Sequence, residues 1–143
     1  MKVKSLAVAG ALAFWASGTE AQTFHKEVMC AAQAERVYRK DQVSFAISAD
    51  INITGYEDHY NQKMDRCFML EHLLITGSGS AEVVTTLIDA FAGRVLARYS
   101  SDNGVEDCDL TPDYVTTHCK SGPEFDAFVE HYLGKVGGGV RHY

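Results

Sequence analysis

This chain of 143 residues predicts an α+β domain in two layers: an N-terminal helix, a three-stranded antiparallel sheet and a C-terminal helix, braced by disulfides. Three observations carry that expectation. Apolar residues recur at helical spacing near both ends of the chain. The stretch between them is rich in β-branched and large apolar residues bounded by turn signals. The four cysteines are even in number, and no Cys-x-x-Cys pair occurs among them.

The first element is a leader. Lys2 and Lys4 supply a cationic start, Leu6 to Trp15 an apolar stretch, and Thr19-Glu20-Ala21 a small-x-small exit. This is the pattern of a secretory signal peptide over residues 1–21, cut after Ala21. A membrane anchor competes with it, but the apolar run is roughly ten residues against the ~20 that span a bilayer. What remains is one α+β domain over residues 22–134 and a loose glycine-rich tail over 135–143. The expected location is the periplasm or the extracellular space. There four sulfurs become bridges, and Cys108 with Cys119 plus Cys30 with Cys67 is the preferred of three pairings. On loop-closure entropy the short bridge contributes about 3 kcal/mol and the long one about 4 kcal/mol.

From Thr23 to about Lys40, Cys30, Ala34, Val37 and Tyr38 fall on one helical face, with Lys26, Glu27, Glu35, Arg36 and Arg39 around the rest. The pattern over 41–55 is weak. From Tyr56 to Thr76 the chain reads as strand, closed by Gly77-Ser-Gly-Ser80. Val83 to Phe91 and Val95 to Tyr99 follow as two more strands across Ala92-Gly93-Arg94. Ser100 to Lys120 reads as a loop with Asp102-Asn103-Gly104 as a turn and Pro112 as a break. Ser121-Gly-Pro-Glu124 then opens a helix, with Ser121 as cap and Glu124 completing a capping box. Phe125, Phe128, Val129 and Tyr132 supply its apolar face.

Three segments together resemble a group of small exported proteobacterial proteins. They are His59-Tyr-Asn-Gln-Lys-Met-Asp-Arg-Cys-Phe68, Asp89-Ala-Phe-Ala-Gly-Arg94 with Ala97-Arg-Tyr99, and Cys119-Lys-Ser-Gly-Pro-Glu-Phe-Asp126. The resemblance implies a periplasmic bacterial setting and brings no activity, cofactor or partner with it.

The chemical candidates are few. His59, Tyr60 and Asp65 are the residues a small hydrolase would use, because a general base needs a carboxylate or nucleophile within about 3 Å. On a single strand His59, Asn61, Lys63, Asp65 and Cys67 would share one side. None of His25, His59, His72, His118, His131 and His142 forms a helical ligand pair, so no metal or cofactor is implied. The Gly-Ser run lacks both the phosphate-loop and the nucleophile-elbow spacing. Asp102, Glu106, Asp107 and Asp109 concentrate acid in the loop without the EF-hand order of ligands. The formal charge is −6, and loss of Lys2, Lys4 and Glu20 makes it more negative, which disfavours nucleic acid and suits a basic partner. The expected function is a non-catalytic binding or interaction module with a periplasmic protein partner, and the alternative is a small enzyme using the 59–65 segment.

Cutting after Ala21 removes Trp15, the one tryptophan of the chain. The exported protein is expected to show tyrosine emission alone; tryptophan emission from the secreted fraction would mean that the leader is retained.

Overall fold

The computed structural model describes residues 17–45, 51–77 and 80–134; the body of the expected leader and the 135–143 tail lie outside them. Helix α1 spans Ser17–Phe45, so the expected cut falls in its second turn. Strands β1 (Ile51–Asn61), β2 (Arg66–Gly77), β3 (Ser80–Asp89), β4 (Arg94–Asp102), β5 (Val105–Leu110) and β6 (Thr117–His118) follow, and helix α2 (Gly122–Leu133) comes last. Each strand pairs antiparallel with its neighbour in sequence, giving one six-stranded meander. No described helix is long and apolar enough to cross a membrane.

The α+β class holds, but the sheet has six strands and not three. The 56–76 segment is two strands folded at Gln62–Asp65, where Asp65 takes a left-handed φ of 51°. Gly55 sits where β1 slips register against β2, which explains the weak alternation there. The 100–120 stretch, expected as a loop, contains the end of β4 and all of β5 and β6. Asn103 and Gly104 both have positive φ, 49° and 80°, so the Asp-Asn-Gly signal marks a tight hairpin joining β4 to β5.

The two-layer expectation is also corrected: the helices lie on opposite faces. Along β2, Cys67 and Met69 pack with Cys30, Ala34 and Tyr60 under α1, whereas Phe68 and Leu70 pack with Phe125, Val129 and Leu133 under α2. Successive strand residues point to opposite sides, so an unbroken apolar run of this kind needs cover on both. One bridge, Cys30–Cys67, fastens α1 to β2; the other, Cys108–Cys119, closes the segment that leads into α2. Gln33 of α1 adds a hydrogen bond from Nε2 to the Ala90 carbonyl at 3.0 Å.

The start of α2 departs from a full capping box. The Ser121 side chain makes no cap hydrogen bond; its carbonyl accepts from the amides of Glu124 and Phe125 at 3.1 and 3.3 Å. Glu124 reaches back past Ser121, and its Oε2 accepts from the Lys120 amide at 2.7 Å. Gly134 ends the helix with φ 76°, a conformation that suits glycine.

Of the buried polar residues Glu71, Thr85, Thr86 and Asp89, Glu71 is an acid without an ion-pair partner among the described residues. Glu71 lies on the α1 face of β2, 2% exposed, and its Oε1 has no hydrogen-bond partner among the described residues. Burial, reinforced by the nearby Asp41 carboxylate, pushes its pKa from the ordinary 4.5 to about 7. The folded state therefore holds a proton that the unfolded state has lost between pH 4.5 and about 7. Stability falls as pH rises through that window, by about 3 kcal/mol at most. Glu71→Gln is expected to flatten this slope and to raise stability at pH 8 by about 1–2 kcal/mol. Urea unfolding at several pH values checks it, and an unchanged slope would show that Glu71 is not the group responsible.

Candidate functional site

The sequence-derived candidates separate in the fold. Asp65 sits in the β1–β2 turn, where its carboxylate accepts from the Tyr60 hydroxyl and from Lys26 Nζ of α1 at 2.5 Å. The Lys26 ammonium also stands 5.7 Å from the centre of the Tyr60 ring. These two contacts hold the Asp65 carboxyl below the usual carboxylate range and raise both Lys26 and Tyr60. His59, one residue before Tyr60 on β1, belongs to the opposite face and lies beside Gly134 at the end of α2. Tyr60 and Asp65 are thus brought together, and His59 is not. The Tyr60–Asp65–Lys26 group clamps α1 to the turn, close to the Cys30–Cys67 bridge.

His72 also lies on the α2 face of β2, with Nδ1 3.3 Å from Thr85 Oγ1, and burial lowers its pKa. On the face of β5 away from α2, Asp107, Asp109 and His118 bring one ligand atom each within 4.8 Å of one another. Strand pairing of Asp109 with His118 explains the approach, which helical ligand spacing could not reveal. His118 Nδ1 is 2.7 Å from Asp109 Oδ1, and Asp107 Oδ1 accepts from the Cys108 amide.

A cleft of about 810 Å³ opens on the α2 side, at the end of the sheet where the β1–β2 and β3–β4 turns meet the 111–116 loop. Its floor is Phe68 and Leu96, with the cross-strand pair Asp89 and Arg94 beside them. Tyr132 of α2 forms one wall. Its ring meets Phe68 edge-on at 5.0 Å, and its carbonyl accepts from Asn61 Nδ2 at 2.7 Å. Pro112, Asp113 and Tyr114 form the facing wall. That wall is fixed at both ends: the Thr111 amide donates to the Leu96 carbonyl at 2.6 Å, and the Cys119 amide donates to the Cys108 carbonyl within the bridged pair.

Charge is arranged unevenly in this cleft. Asp89 is 2% exposed and fully used: Oδ2 accepts from Arg66 Nη1 at 3.0 Å, and Oδ1 accepts from the Ala92 amide, which closes the β3–β4 turn. Arg66 keeps half its side chain in solvent. Arg94 carries its guanidinium 4.4 Å from the centre of the Tyr114 ring, and its Nη1 is buried with no acceptor among the described residues. The Tyr132 hydroxyl reports the convergence. Burial raises its pKa first, the Asp113 charge raises it further, and the Arg94 and Arg66 charges pull it down.

Sequence reasoning missed Arg66, Arg94, Tyr114 and Tyr132 as a group. The available signal was a pair of opposite charges, Asp89 and Arg94, flanking a tight turn between two strands. Comparison with protein-family models, curated proteins and solved structures finds no match for this chain.

The two ion pairs differ in burial, so their energetic weights differ. Asp89→Ala removes a buried carboxylate, a turn cap and the partner of Arg66, and is expected to cost about 3 kcal/mol. Lys26→Ala, at a pair whose Asp65 side chain is 66% exposed, is expected to cost far less, because solvent screens the pair. Urea midpoints of the two variants test the ordering; equal losses would contradict it.

Proposed function

We propose that this chain is an exported, non-catalytic binding module whose ligand site is the cleft between α2 and the 111–116 loop. The observation that carries the reading is the cleft itself: aromatic walls held in place by the Asn61–Tyr132 hydrogen bond and the Cys108–Cys119 bridge, around two arginines. A volume of about 810 Å³ lies in the range that encloses a small organic molecule. Among the described residues that line it, none is serine, cysteine or histidine, the groups that most often serve as nucleophile and base. The two disulfides suit an oxidising compartment, and the resemblance to small exported proteobacterial proteins points to the periplasm. A periplasmic protein that delivers or receives the bound molecule is the partner this reading expects.

The enzymatic alternative rests on His59, Tyr60 and Asp65, of which Asp65 accepts from both the Tyr60 hydroxyl and Lys26 Nζ. Of the three, only Asp65 lines the cleft. A fragment screen by amide chemical shifts on the exported protein separates the two readings. Saturable shifts confined to Phe68, Leu96, Tyr114 and Tyr132 are the expected result, without turnover of chromogenic ester or glycoside substrates. Shifts scattered over other surfaces, or turnover abolished by Asp65→Asn, would overturn the binding reading.

A further inference from the structure

Resting on that reading of the cleft, we infer that its ligand is a small organic acid, with one carboxylate seated on Arg94 and Arg66 and a planar apolar body lying between Tyr132 and Tyr114.

Ion pairing, and not net charge, selects the sign, since three aspartates, Asp65, Asp89 and Asp113, line the cleft beside two arginines. Asp89 neutralises Arg66 within the protein, and its two oxygens are both occupied. The Asp65 carboxylate is held by Lys26 and Tyr60. Arg94 therefore stands as the one cation of the cleft without a carboxylate partner, and its Nη1 has no acceptor among the described residues. Arg94 lines the cleft, and a guanidinium that turns to meet a ligand oxygen there recovers the cost of its unmet donor. The guanidinium fork matches a carboxylate in two parallel hydrogen bonds. A dianionic phosphate fits less well, because Asp113 stands in the facing wall and Asp89 lies beside Arg94.

Aromatic groups select the body. The Tyr132 ring packs edge-on against Phe68, and its backbone is held by the hydrogen bond from Asn61 Nδ2 to its carbonyl, so it offers a preset wall. Tyr114 is 84% exposed and has a left-handed φ of 65°, an uncommon conformation for a bulky residue. Its ring stacks on the Arg94 guanidinium. A planar ligand body next to this ring gains contact area without ordering a flexible side chain, since both walls are held before the ligand arrives.

Four indole probes test the inference, because they share one ring and differ in charge: indole-3-acetate, indole-3-acetamide, tryptamine and 3-indoxyl phosphate. Each is titrated into the labelled exported protein at millimolar concentration, with amide shifts as the readout. The acetate is expected to shift the Leu96, Tyr114 and Tyr132 amides and to bind about tenfold or more tightly than the amide. The phosphate is expected to bind more weakly than the acetate, and tryptamine to leave the cleft unshifted. Arg94→Gln is expected to weaken the acetate about tenfold, and Arg94→Lys to restore little of it, since an ammonium lacks the fork. If Arg94→Gln does not fold, as judged by circular dichroism, Tyr114→Ala on the exposed loop replaces it, with a several-fold weakening expected. Binding of the amide or tryptamine as tight as the acetate, or a phosphate tighter than the acetate, overturns the single-carboxylate inference and leaves the binding reading standing. No cleft shift from any probe overturns both.

Discussion

Everything in this fold follows from a strand that is apolar on both sides. Cys67, Phe68, Met69 and Leu70 of β2 are all buried, and consecutive residues of a strand cannot share a face. A sheet built around such a strand must be covered twice. Helix α1 supplies one cover and α2 the other, and each is associated with one disulfide. Cys30–Cys67 joins α1 directly to β2, whereas Cys108–Cys119 gathers the chain just before α2 begins. For a domain of this size, whose total stability is of the order of 5–15 kcal/mol, two bridges are a large share of what keeps both covers in place.

The cleft arises from the incomplete reach of the second cover. Helix α2 protects Phe125, Val129 and Leu133 against the middle of the sheet, but Tyr132 already looks out over the end where two turns and a loop converge. At that end the sheet presents charge: Asp89 and Arg94 face each other across β3 and β4, and Arg66 joins from β2. Asp89 serves two structural purposes at once, as turn cap and as counter-ion, which leaves the neighbouring guanidinium of Arg94 unmatched. The unmatched guanidinium is a by-product of a sheet end at which one acid, Asp89, stands between two bases, Arg66 and Arg94. At the β1–β2 turn, Lys26, Tyr60 and Asp65 satisfy one another, and that group is a clamp.

How much of this was legible in the sequence depended on the range of the interactions involved. The helical faces of α1 and α2 were readable because their periodicity is local, and the Asp102-Asn103-Gly104 turn because positive φ favours particular residues. The number of strands was not, for two reasons. Gly55 breaks the alternation of β1 with a register slip, and β5 is an edge-ward strand whose acidic residues, Glu106, Asp107 and Asp109, resemble a solvated loop. The opposite placement of the helices was present in the unbroken apolar run of β2, a feature that counts as evidence for double cover once the run is known to be strand. A continuous strand would put His59 and Asp65 on one side and Tyr60 on the other, but the chain turns at Gln62–Asp65 and brings Asp65 to Tyr60 instead. The cleft residues come from four separate segments, at positions 64–68, 89–96, 112–114 and 132, and only the closed sheet brings these together.

The unbroken order of the meander bears on how such a chain could acquire its shape. Every strand bonds to the one made just before it, so a polypeptide delivered end-first can add hairpins one at a time without waiting for a distant mate. The exception is α1, whose seat on β2 exists only after that strand has been delivered. A helix that must linger without its seat benefits from a covalent lock that makes the late docking step permanent, and Cys30 occupies the fully buried centre of that contact.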